Sequence, residues 1–282
     1  ELTSVGSKLS GTCVKKDFKS TDGGPYGEGM WYTQDQIREI VAYAAAKGID
    51  IIPEIDLPGH MLGALSAYPE LGCTGGPYEV WTRWGVSPDV LCAGNEKVYE
   101  FLEDVLSEVC DLFPYEYIHI GGDEVEMSQW KRCPKCQALM RDNNMTNTAE
   151  LQQYFMSRLT DILAQHGKKP AVWNEAIDGG KLSTDTRVYG WESIKECRAA
   201  AANYSTIVMP GQFFYFDMKQ SAREPGHDWA AIFDVRKTIG FGFDDFTPEQ
   251  MERVARTYGL FQQAAVEGGQ SYDEAQVCQA VK

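Results

Sequence analysis

The sequence predicts an α/β protein built as a TIM-type (β/α)8 barrel, and two observations support this. Segments with helical periodicity alternate with short apolar runs through most of the 282 residues. Such alternation produces parallel strands joined by helical crossovers. Neither a GxGxxG turn nor a P-loop sequence occurs, which disfavours a doubly wound nucleotide-binding fold. We therefore predict one barrel domain over residues 1–282.

The first two helices are marked by a cap and by an apolar stripe. Thr33 with Gln36 forms a capping box, and that helix ends at Gly48 before a predicted strand over 49–55. The next helix begins at Asn95, and a strand over 115–121 follows it. Its stripe, which predicts packing on a sheet, consists of Val98, Phe101, Leu102, Val105, Leu106 and Val109.

The same alternation continues towards the carboxyl end. A helix from Thr148 to Gly167 precedes a strand over 169–175, and a strand over 186–191 precedes a short helix near 193–202. A further strand is predicted within 205–217. The last predicted helix runs to Glu267, with Thr247 as its cap and Pro248 at its first position. Five strands are thus predicted, fewer than the eight of a closed barrel of this type.

The charge balance bounds the partners of the protein. Lys and Arg number 26 against 41 Asp and Glu, which gives a net charge of −15. Nucleic-acid binding requires clustered basic residues, so it is disfavoured. No apolar run approaches the roughly 20 residues of a membrane span. A neutral partner fits this composition better, although a well-solvated surface explains the acidity equally well.

The cysteines leave two readings open. Cys133 and Cys136 have the spacing of half a zinc site, but no second CxxC completes four thiolates, so we predict neither a metal nor a cofactor. Cys73 and Cys92 flank a loop rich in Gly, Pro and Trp. A disulfide between them would stiffen the loop and imply an oxidising compartment. The alternative is buried free thiols.

Polar and aromatic side chains follow the predicted strands. In a barrel, chemistry gathers where the strands end. The residues at these ends are Glu54, Asp56, His60, Asp123, Glu124, Trp173, Glu175, Trp191, Tyr215 and Asp217. Carboxylates bind the hydroxyls of a sugar and flat rings cover its C–H face, so one pocket built from both predicts a carbohydrate substrate.

Each of these residues also has a structural explanation. Trp173, Trp191 and Trp229 could fill the core, His60 could be a structural histidine, and Glu54 could be a buried ion-pair partner. Asp123 and Glu124 are harder to explain in this way. Neighbouring residues on a regular strand point to opposite faces, and both carboxylates face one site only where the pleat breaks. Gly121 and Gly122 supply that break.

The stretch HIGGDEV at residues 119–125, with IDLPGH, VWNEA, YGW and FYFD, resembles the catalytic domain of family 20 glycoside hydrolases, the β-N-acetylhexosaminidases. The resemblance covers about residues 1–252 in family order. It implies removal of terminal β-linked N-acetylglucosamine or N-acetylgalactosamine from a glycan or chitooligosaccharide. The implied reaction is retaining and substrate-assisted, with an oxazolinium intermediate instead of an enzyme nucleophile.

The resemblance also implies a role for each matching residue. Glu124 corresponds to the general acid, Asp123 to the residue that orients the 2-acetamido group, and Tyr215 to the donor to the acetamido oxygen. Trp173, Trp191 and Trp229 correspond to aromatic residues around the sugar, Asp217 to a hydroxyl ligand, and His60 to a histidine that tunes the acid. Two adjacent carboxylates in different environments can differ in pKa. We expect a raised pKa for Glu124 and an ionised Asp123.

The sequence departs from the family pattern at both ends, and the resemblance implies that its five predicted strands are strands three to seven of eight, so that the barrel is incomplete in this chain. An arginine that grips the outer hydroxyls and an aspartate that partners the histidine are expected before Glu1, and a final strand ending in Trp and Glu is not found. One alternative is therefore a carbohydrate-binding or inactive remnant of such a domain. Another is a metal-dependent barrel hydrolase using His60, His119, Asp123 and Glu124, which chelators would inactivate. By analogy we expect a periplasmic or extracellular location.

Overall fold

The computed structural model describes residues 1–13, 24, 26 and 29–254 of the chain. These residues fall into two compact units. The first comprises Glu1–Ala171 and Glu175–Ser183. The second comprises Val172–Asn174 and the described residues from Thr184 onward.

Helices and strands alternate in both units. From the start of the chain to the end of β2 the order is α1 (Gln34–Ala45), α2 (Leu62–Ala67), α3 (Glu96–Leu112), β1 (Tyr117–His119), α4 (Ser128–Arg132), α5 (Pro134–Asp142), α6 (Thr148–Gln165) and β2 (Lys169–Trp173). From there it is β3 (Arg187–Gly190), α7 (Ile194–Ala201), β4 (Ser205–Val208), α8 (Gly211–Phe214) and α9 (Val235–Ile239). Single turns of π- or 3-10 helix occur at Leu2–Gly6, Pro69–Leu71 and Asn174–Ile177.

The strands pair in parallel, as the alternation predicts. In the first unit β1 runs beside β2, with Tyr117 opposite Lys169 and His119 opposite Ala171. In the second unit β3 runs beside β4, with Arg187 opposite Ser205. Parallel neighbours need a crossover, which helix α7 supplies between β3 and β4. The fold class is therefore α/β.

The strand predicted over 49–55 is reduced to one bridge. Glu54 pairs with His119 in parallel, and the Ile55 N–H donates to the His119 carbonyl at 2.9 Å. The His119 N–H donates to the Pro53 carbonyl at 3.0 Å. Pro53 has no N–H to extend the ladder, which is why the predicted strand was too long.

The strand predicted within 205–217 is wrong beyond Val208. The sequence Met209-Pro210-Gly211 ends it, because Pro210 cannot donate to a ladder and its carbonyl instead accepts from Phe214 N–H at 3.1 Å. Helix α8 follows at once. Tyr215 and Asp217 therefore lie after a helical turn rather than at a strand end.

Helices α3 and α6 pack together in the first unit. Val98, Leu102 and Leu106 are buried as predicted. The predicted Phe101, Val105 and Val109 are only half-buried, whereas Tyr99 and Cys110 are buried, so the packed face is rotated from the predicted stripe. Arg158 of α6 donates to both carboxylate oxygens of Glu96, at 3.1 and 2.9 Å, and lies 4.0 Å from the Tyr99 ring centre.

Helix α1 has the predicted capping box. Gln36 N–H donates to Thr33 Oγ1 at 3.2 Å, and Thr33 N–H donates to Gln36 Oε1 at 2.8 Å. No residue of α1 is buried by the described part of the chain.

A small core in the second unit forms around Cys197, Ala201 and Phe246. Residues 248–254 are helical, and Thr247 caps them through Gln250 as predicted. The predicted continuation of that helix to Glu267 lies outside the described residues. Among the described helices none combines the length and apolar character of a bilayer span.

Candidate active site

The turn after β1 is built on two glycines. Gly121 has φ 71° and Gly122 has φ 106°, conformations that side chains disfavour. A Cβ on Gly121 would lie 1.8 Å from Asp56 Oδ1, and a Cβ on Gly122 would lie 2.6 Å from the Ala176 Cβ. Glycine is therefore required at both positions, and the pleat breaks where the sequence predicts.

Hydrogen bonds hold this turn in place. Gly121 N–H donates to His119 Nδ1 at 3.1 Å, and Gly122 N–H donates to Asp56 Oδ1 at 3.3 Å. The buried side chain of Gln152 donates to the Gly122 carbonyl at 2.7 Å. The turn is thus fixed from the strand below it and from helix α6 beside it.

The two adjacent carboxylates converge on one imidazole. His60 Nε2 lies 3.2 Å from Glu124 Oε2 and 3.7 Å from Asp123 Oδ2. It also lies 3.9 Å from Asp56 Oδ2. The Asp123 and Glu124 side chains thus converge on His60, as the sequence predicts, and the His60 imidazole lies beside both carboxylates.

Two residues of this group have left-handed backbones. Glu124 has φ 48° and His60 has φ 55°. For residues other than glycine this conformation costs about 1 kcal/mol or more. The Glu124 N–H donates to Glu175 Oε1 at 3.1 Å, a contact that holds the Glu124 backbone. Such strain occurs preferentially at functional sites.

The environments of Asp123 and Glu124 differ. The Asp123 side chain is 19% exposed and that of Glu124 is 41% exposed. Asp123 Oδ1 is buried, and no N–H or hydroxyl group of the described residues donates to it. A buried acceptor of this kind is costly unless a ligand supplies a donor. Asp123 is therefore suited to an N–H group, and the more exposed Glu124 to proton exchange.

Asp56 is the most perturbed acid of the group. Burial, together with the neighbouring Asp123 carboxylate and the hydrogen bond between the two side chains, raises the pKa of Asp56 to about 9. Asp56 therefore carries a proton at neutral pH and can donate it to Asp123.

His119 lies on the other side of the turn. Burial lowers its pKa to about 3, so the imidazole is neutral, and its Nδ1 accepts from Gly121 N–H. Among the described residues, Asp56, His60 and Asp123 form a group close enough to share a metal, and His119 is not part of it. The four-residue metal set of the alternative hydrolase is not assembled. Glu54 is exposed, so its interpretation as a buried ion-pair partner is wrong.

Three of the predicted aromatic residues form a cluster in the second unit. Trp191 stacks on Tyr215 with ring centres 6.2 Å apart and planes 12° apart. Trp229 meets both edge-on, at 5.9 Å from Trp191 and 5.6 Å from Tyr215. Trp229 is 52% exposed, so it does not fill a core. Flat rings held in this way suit the apolar face of a sugar.

Asn174, at the end of β2, positions Trp191. The buried Asn174 side chain accepts from Trp191 N–H at 3.0 Å and donates to the Glu192 carboxylate. The Trp191 carbonyl accepts from Gly211 N–H at 2.7 Å.

Trp173 and Asp217 lie outside the aromatic cluster. Trp173 packs edge-on against Tyr189, with ring centres 6.0 Å apart. Asp217 is exposed, and its carbonyl accepts from His227 N–H at 2.9 Å. Their roles at the sugar, and that of Tyr215, stay predictions.

Sequence reasoning missed the residues that position the carboxylates of the first unit and the aromatic cluster of the second unit. Asp56 and Glu175 both follow predicted strands, so their location signalled importance, but their contacts with the turn depend on the fold. Gln152 and Asn174 gave no signal, because a single amide in a helix or at a strand end is common.

Known proteins resemble this chain over most of its length. Residues 1–272 match the catalytic domain of glycosyl hydrolase family 20. The beta-hexosaminidase of Porphyromonas gingivalis is 44% identical over 182 residues, covering 64% of this chain and 23% of that protein. The beta-hexosaminidase of Vibrio furnissii is 41% identical over 217 residues, covering 76% of this chain and 36% of that protein. The chain thus spans about a quarter to a third of the length of these relatives.

Solved structures resemble it as well. A beta-N-acetylhexosaminidase crystal structure matches with a TM-score of 0.77 and 28% identity, covering 89% of this chain and 53% of that one. The exo beta-N-acetylglucosaminidase of Vibrio harveyi in complex with N-acetylglucosamine matches with a TM-score of 0.71 and 33% identity, covering 84% of this chain and 38% of that one. Catalytic domains of the matched family are TIM barrels, so the predicted fold class is confirmed. On the match over residues 1–272 and the identity to its relatives, the chain belongs to glycosyl hydrolase family 20 as a catalytic domain of that family.

Proposed function

We propose that the protein is a β-N-acetylhexosaminidase that removes terminal β-linked N-acetylglucosamine or N-acetylgalactosamine from glycans. The observation that carries the proposal is the convergence of Asp123 and Glu124 on His60, with a buried oxygen of Asp123 to which no N–H group of the described residues donates. N-acetylglucosamine is the ligand of the related Vibrio harveyi structure. An acetamido sugar supplies the N–H group that Asp123 Oδ1 lacks.

In the proposed first step the acetamido group of the substrate acts as the nucleophile on C1 of the same sugar. The acetamido N–H donates to Asp123, which raises the electron density on the acetamido carbonyl oxygen. That oxygen closes onto C1 as the glycosidic bond breaks, and Glu124 gives its proton to the leaving oxygen. The product of this step is an oxazolinium ion, whose positive charge the Asp123 carboxylate stabilises.

In the second step water opens the ring. Glu124, now ionised, accepts a proton from the water that attacks C1, and the acetamido group is restored. Two displacements at C1 retain the anomeric configuration. His60, 3.2 Å from Glu124, is placed to hold the carboxyl group in position between the two steps.

A comparison of two variants tests these roles. Glu124→Gln should lower turnover by roughly 10²–10⁴-fold on substrates with poor leaving groups, because these need the acid most. Asp123→Asn should slow every substrate that uses its acetamido group, whatever the leaving group. The assay compares aryl and alkyl β-N-acetylglucosaminides.

The matched control is Glu126→Gln. Glu126 is an exposed carboxylate two residues from Glu124, with its Oε1 accepting from Ser128 N–H at 3.0 Å. It should retain activity on both substrate types. Full activity of Glu124→Gln on alkyl glycosides, or equal activity of the unmodified protein on plain β-glucosides, would contradict the mechanism.

The alternative of a carbohydrate-binding or inactive remnant makes a different prediction. Such a protein would bind N-acetylglucosamine, detectable by calorimetry, without hydrolysing an aryl β-N-acetylglucosaminide. The presence of both Asp123 and Glu124 beside His60 favours an enzyme over a binding protein, because binding alone does not need an acid beside Asp123.

A further inference from the structure

Four cysteine sulfurs meet in the first unit, away from the carboxylates. They belong to Cys73 and Cys92, at the two ends of the Trp-rich loop, and to Cys133 and Cys136, at the junction of α4 and α5. All four sulfurs lie within 4.8 Å of one another. The sequence showed only half a metal site here, because the other two ligands do not form a CxxC pair.

The spacing of the sulfurs matches tetrahedral coordination. Cys92 Sγ lies 3.7 Å from both Cys133 Sγ and Cys136 Sγ, and Cys73 Sγ lies 3.9 Å from Cys136 Sγ. Four thiolates about 2.3 Å from a zinc ion have neighbouring sulfurs about 3.8 Å apart. A disulfide would bring two sulfurs to about 2.05 Å. All four cysteines are free thiols in the structure.

The surroundings suit a closed, negatively charged centre. Cys92, Cys133 and Cys136 are buried and Cys73 is half-buried, which leaves little room for an exchangeable ligand. Cys133 occupies the N-cap position of the nine-residue helix α5 and Cys136 lies in its first turn, where the helix dipole favours negative charge. Three basic residues flank the pair at the surface, namely Lys131, Arg132 and Lys135.

The backbone is packed for the same geometry. A Cβ on Gly94 would lie 2.5 Å from Cys136 N and 2.3 Å from Lys135 C, so only glycine lets the two segments approach. Cys92 N–H donates to the Leu71 carbonyl at 2.9 Å, next to a bridge between Gly72 and Leu91 that closes the loop.

We propose that Cys73, Cys92, Cys133 and Cys136 bind one zinc ion as a structural site. The ion joins the loop over 73–92 to the α4–α5 segment that follows the Asp123 and Glu124 turn. Because four thiolates complete its coordination, the ion has no open position for a substrate or a water. It is separate from the chemistry of the proposed reaction.

The site fixes a part of the protein that adjoins His60. The Trp130 Nε1–H group donates to the Leu91 carbonyl at 2.9 Å. The Leu91 N–H group donates to the Pro58 carbonyl at 3.0 Å. Loop residues Val80, Trp81 and Ser87 line a cavity of about 200 Å³ together with His60. Zinc bound here would hold one wall of this cavity beside His60, and its loss should loosen that wall before it changes the carboxylates.

Metal content tests the proposal without reference to activity. The whole chain, produced with zinc and kept reduced, should contain one zinc ion per molecule when measured by inductively coupled plasma mass spectrometry. X-ray absorption at the zinc edge should show four sulfur neighbours at about 2.3 Å and no nitrogen or oxygen. Cobalt substitution should give the visible absorption of a tetrahedral thiolate centre.

Variants locate the ion. Cys92→Ser and the milder Cys73→Ser, at a half-buried position, should each lower bound zinc at least tenfold after dialysis against a weak chelator. Cys110→Ser is the matched control, since Cys110 is buried in α3 and outside the cluster, and it should keep zinc in full. If Cys92→Ser does not fold, the absorption spectrum of the unmodified protein still decides the ligand set.

Several results would overturn the proposal. They are a reduced protein that binds no zinc, a native protein whose mass shows two disulfides among these cysteines, iron in place of zinc, or zinc that persists in both variants. None of these results tests the proposed roles of Asp123 and Glu124, and an inactive protein with one zinc would leave the proposed zinc site intact.

Discussion

At the scale of single residues, Asp56 shows how several acidic side chains can lie close together when one of them stays protonated. The pKa of Asp56 is raised to about 9, whereas an aspartate in an unfolded chain titrates near about 4. Between these pH values the unfolded chain releases the proton while the folded protein keeps it. Stability therefore falls as the pH rises through this window.

The Asp56→Asn variant tests this loss of stability with rising pH. The amide keeps an acceptor for Gly122 N–H and a donor for Asp123, but it cannot ionise. We expect the variant to gain stability on the order of a few kcal/mol at pH 8, with about 5 kcal/mol as the linkage limit, and to lose most of the pH slope between pH 5 and 9. Urea unfolding at several pH values measures both, and Asp104→Asn, at an exposed position of α3, is the control. An unchanged slope would contradict the assignment.

The residues that could be predicted are those whose signal lies within a few positions of sequence. Asp123 and Glu124 stand next to each other after two glycines, so their convergence follows from local geometry. Asp56 contacts Asp123 from 67 positions earlier in the chain, and Glu175 contacts Glu124 from 51 positions later. No local sequence pattern shows these contacts.

At the scale of elements, caps matter according to what the helix buries. Helix α6 buries eight of its residues, and Asn147 caps it by accepting from Ala149 and Glu150 N–H at 2.9 and 3.1 Å. Helix α1 has a complete capping box at Thr33, but it buries no residue against the described part of the chain.

Asn147→Ala should therefore destabilise the protein more than Thr33→Ala. We expect Asn147→Ala to cost about 1 kcal/mol in the free energy of unfolding, because α6 is part of the core of the first unit. Thr33→Ala should fray α1 locally and change the global unfolding transition little. Chemical unfolding followed by tryptophan fluorescence compares the two, and equal losses would show that α1 unfolds with the core.

Element boundaries were predictable where capping residues define them and unpredictable where proline interrupts a ladder. Thr33 and Thr247 cap helices as predicted, since each cap is a local hydrogen bond. The strands predicted around Pro53 and Pro210 were too long. Apolar composition alone does not show which N–H groups a ladder lacks.

At the scale of the whole molecule, the net charge of −15 selects among substrates. Turnover of a neutral chitooligosaccharide should change little with salt. A sulfated glycan should be hydrolysed several-fold faster, in kcat/KM, when added salt screens the repulsion. Kinetics at low and physiological ionic strength measure this, and a sulfated substrate favoured at low salt would show that a local basic patch dominates.

The alternation of helices and strands was enough to predict the fold class, because it needs only short-range periodicity. The four-cysteine cluster was not predictable in the same way. Its ligands come from positions separated by as many as 63 residues, between Cys73 and Cys136, and only the folded chain brings them together.

The left-handed backbone at Glu124 has a consequence for how such enzymes can change over evolutionary time. Glycine or asparagine would adopt this conformation more easily than glutamate, so substitutions that abolish the acid would relieve part of its strain. A paralogue that loses the acid at this position would therefore gain folding stability while losing activity. On the proposed function, selection for turnover, and not for folding, would favour a glutamate there.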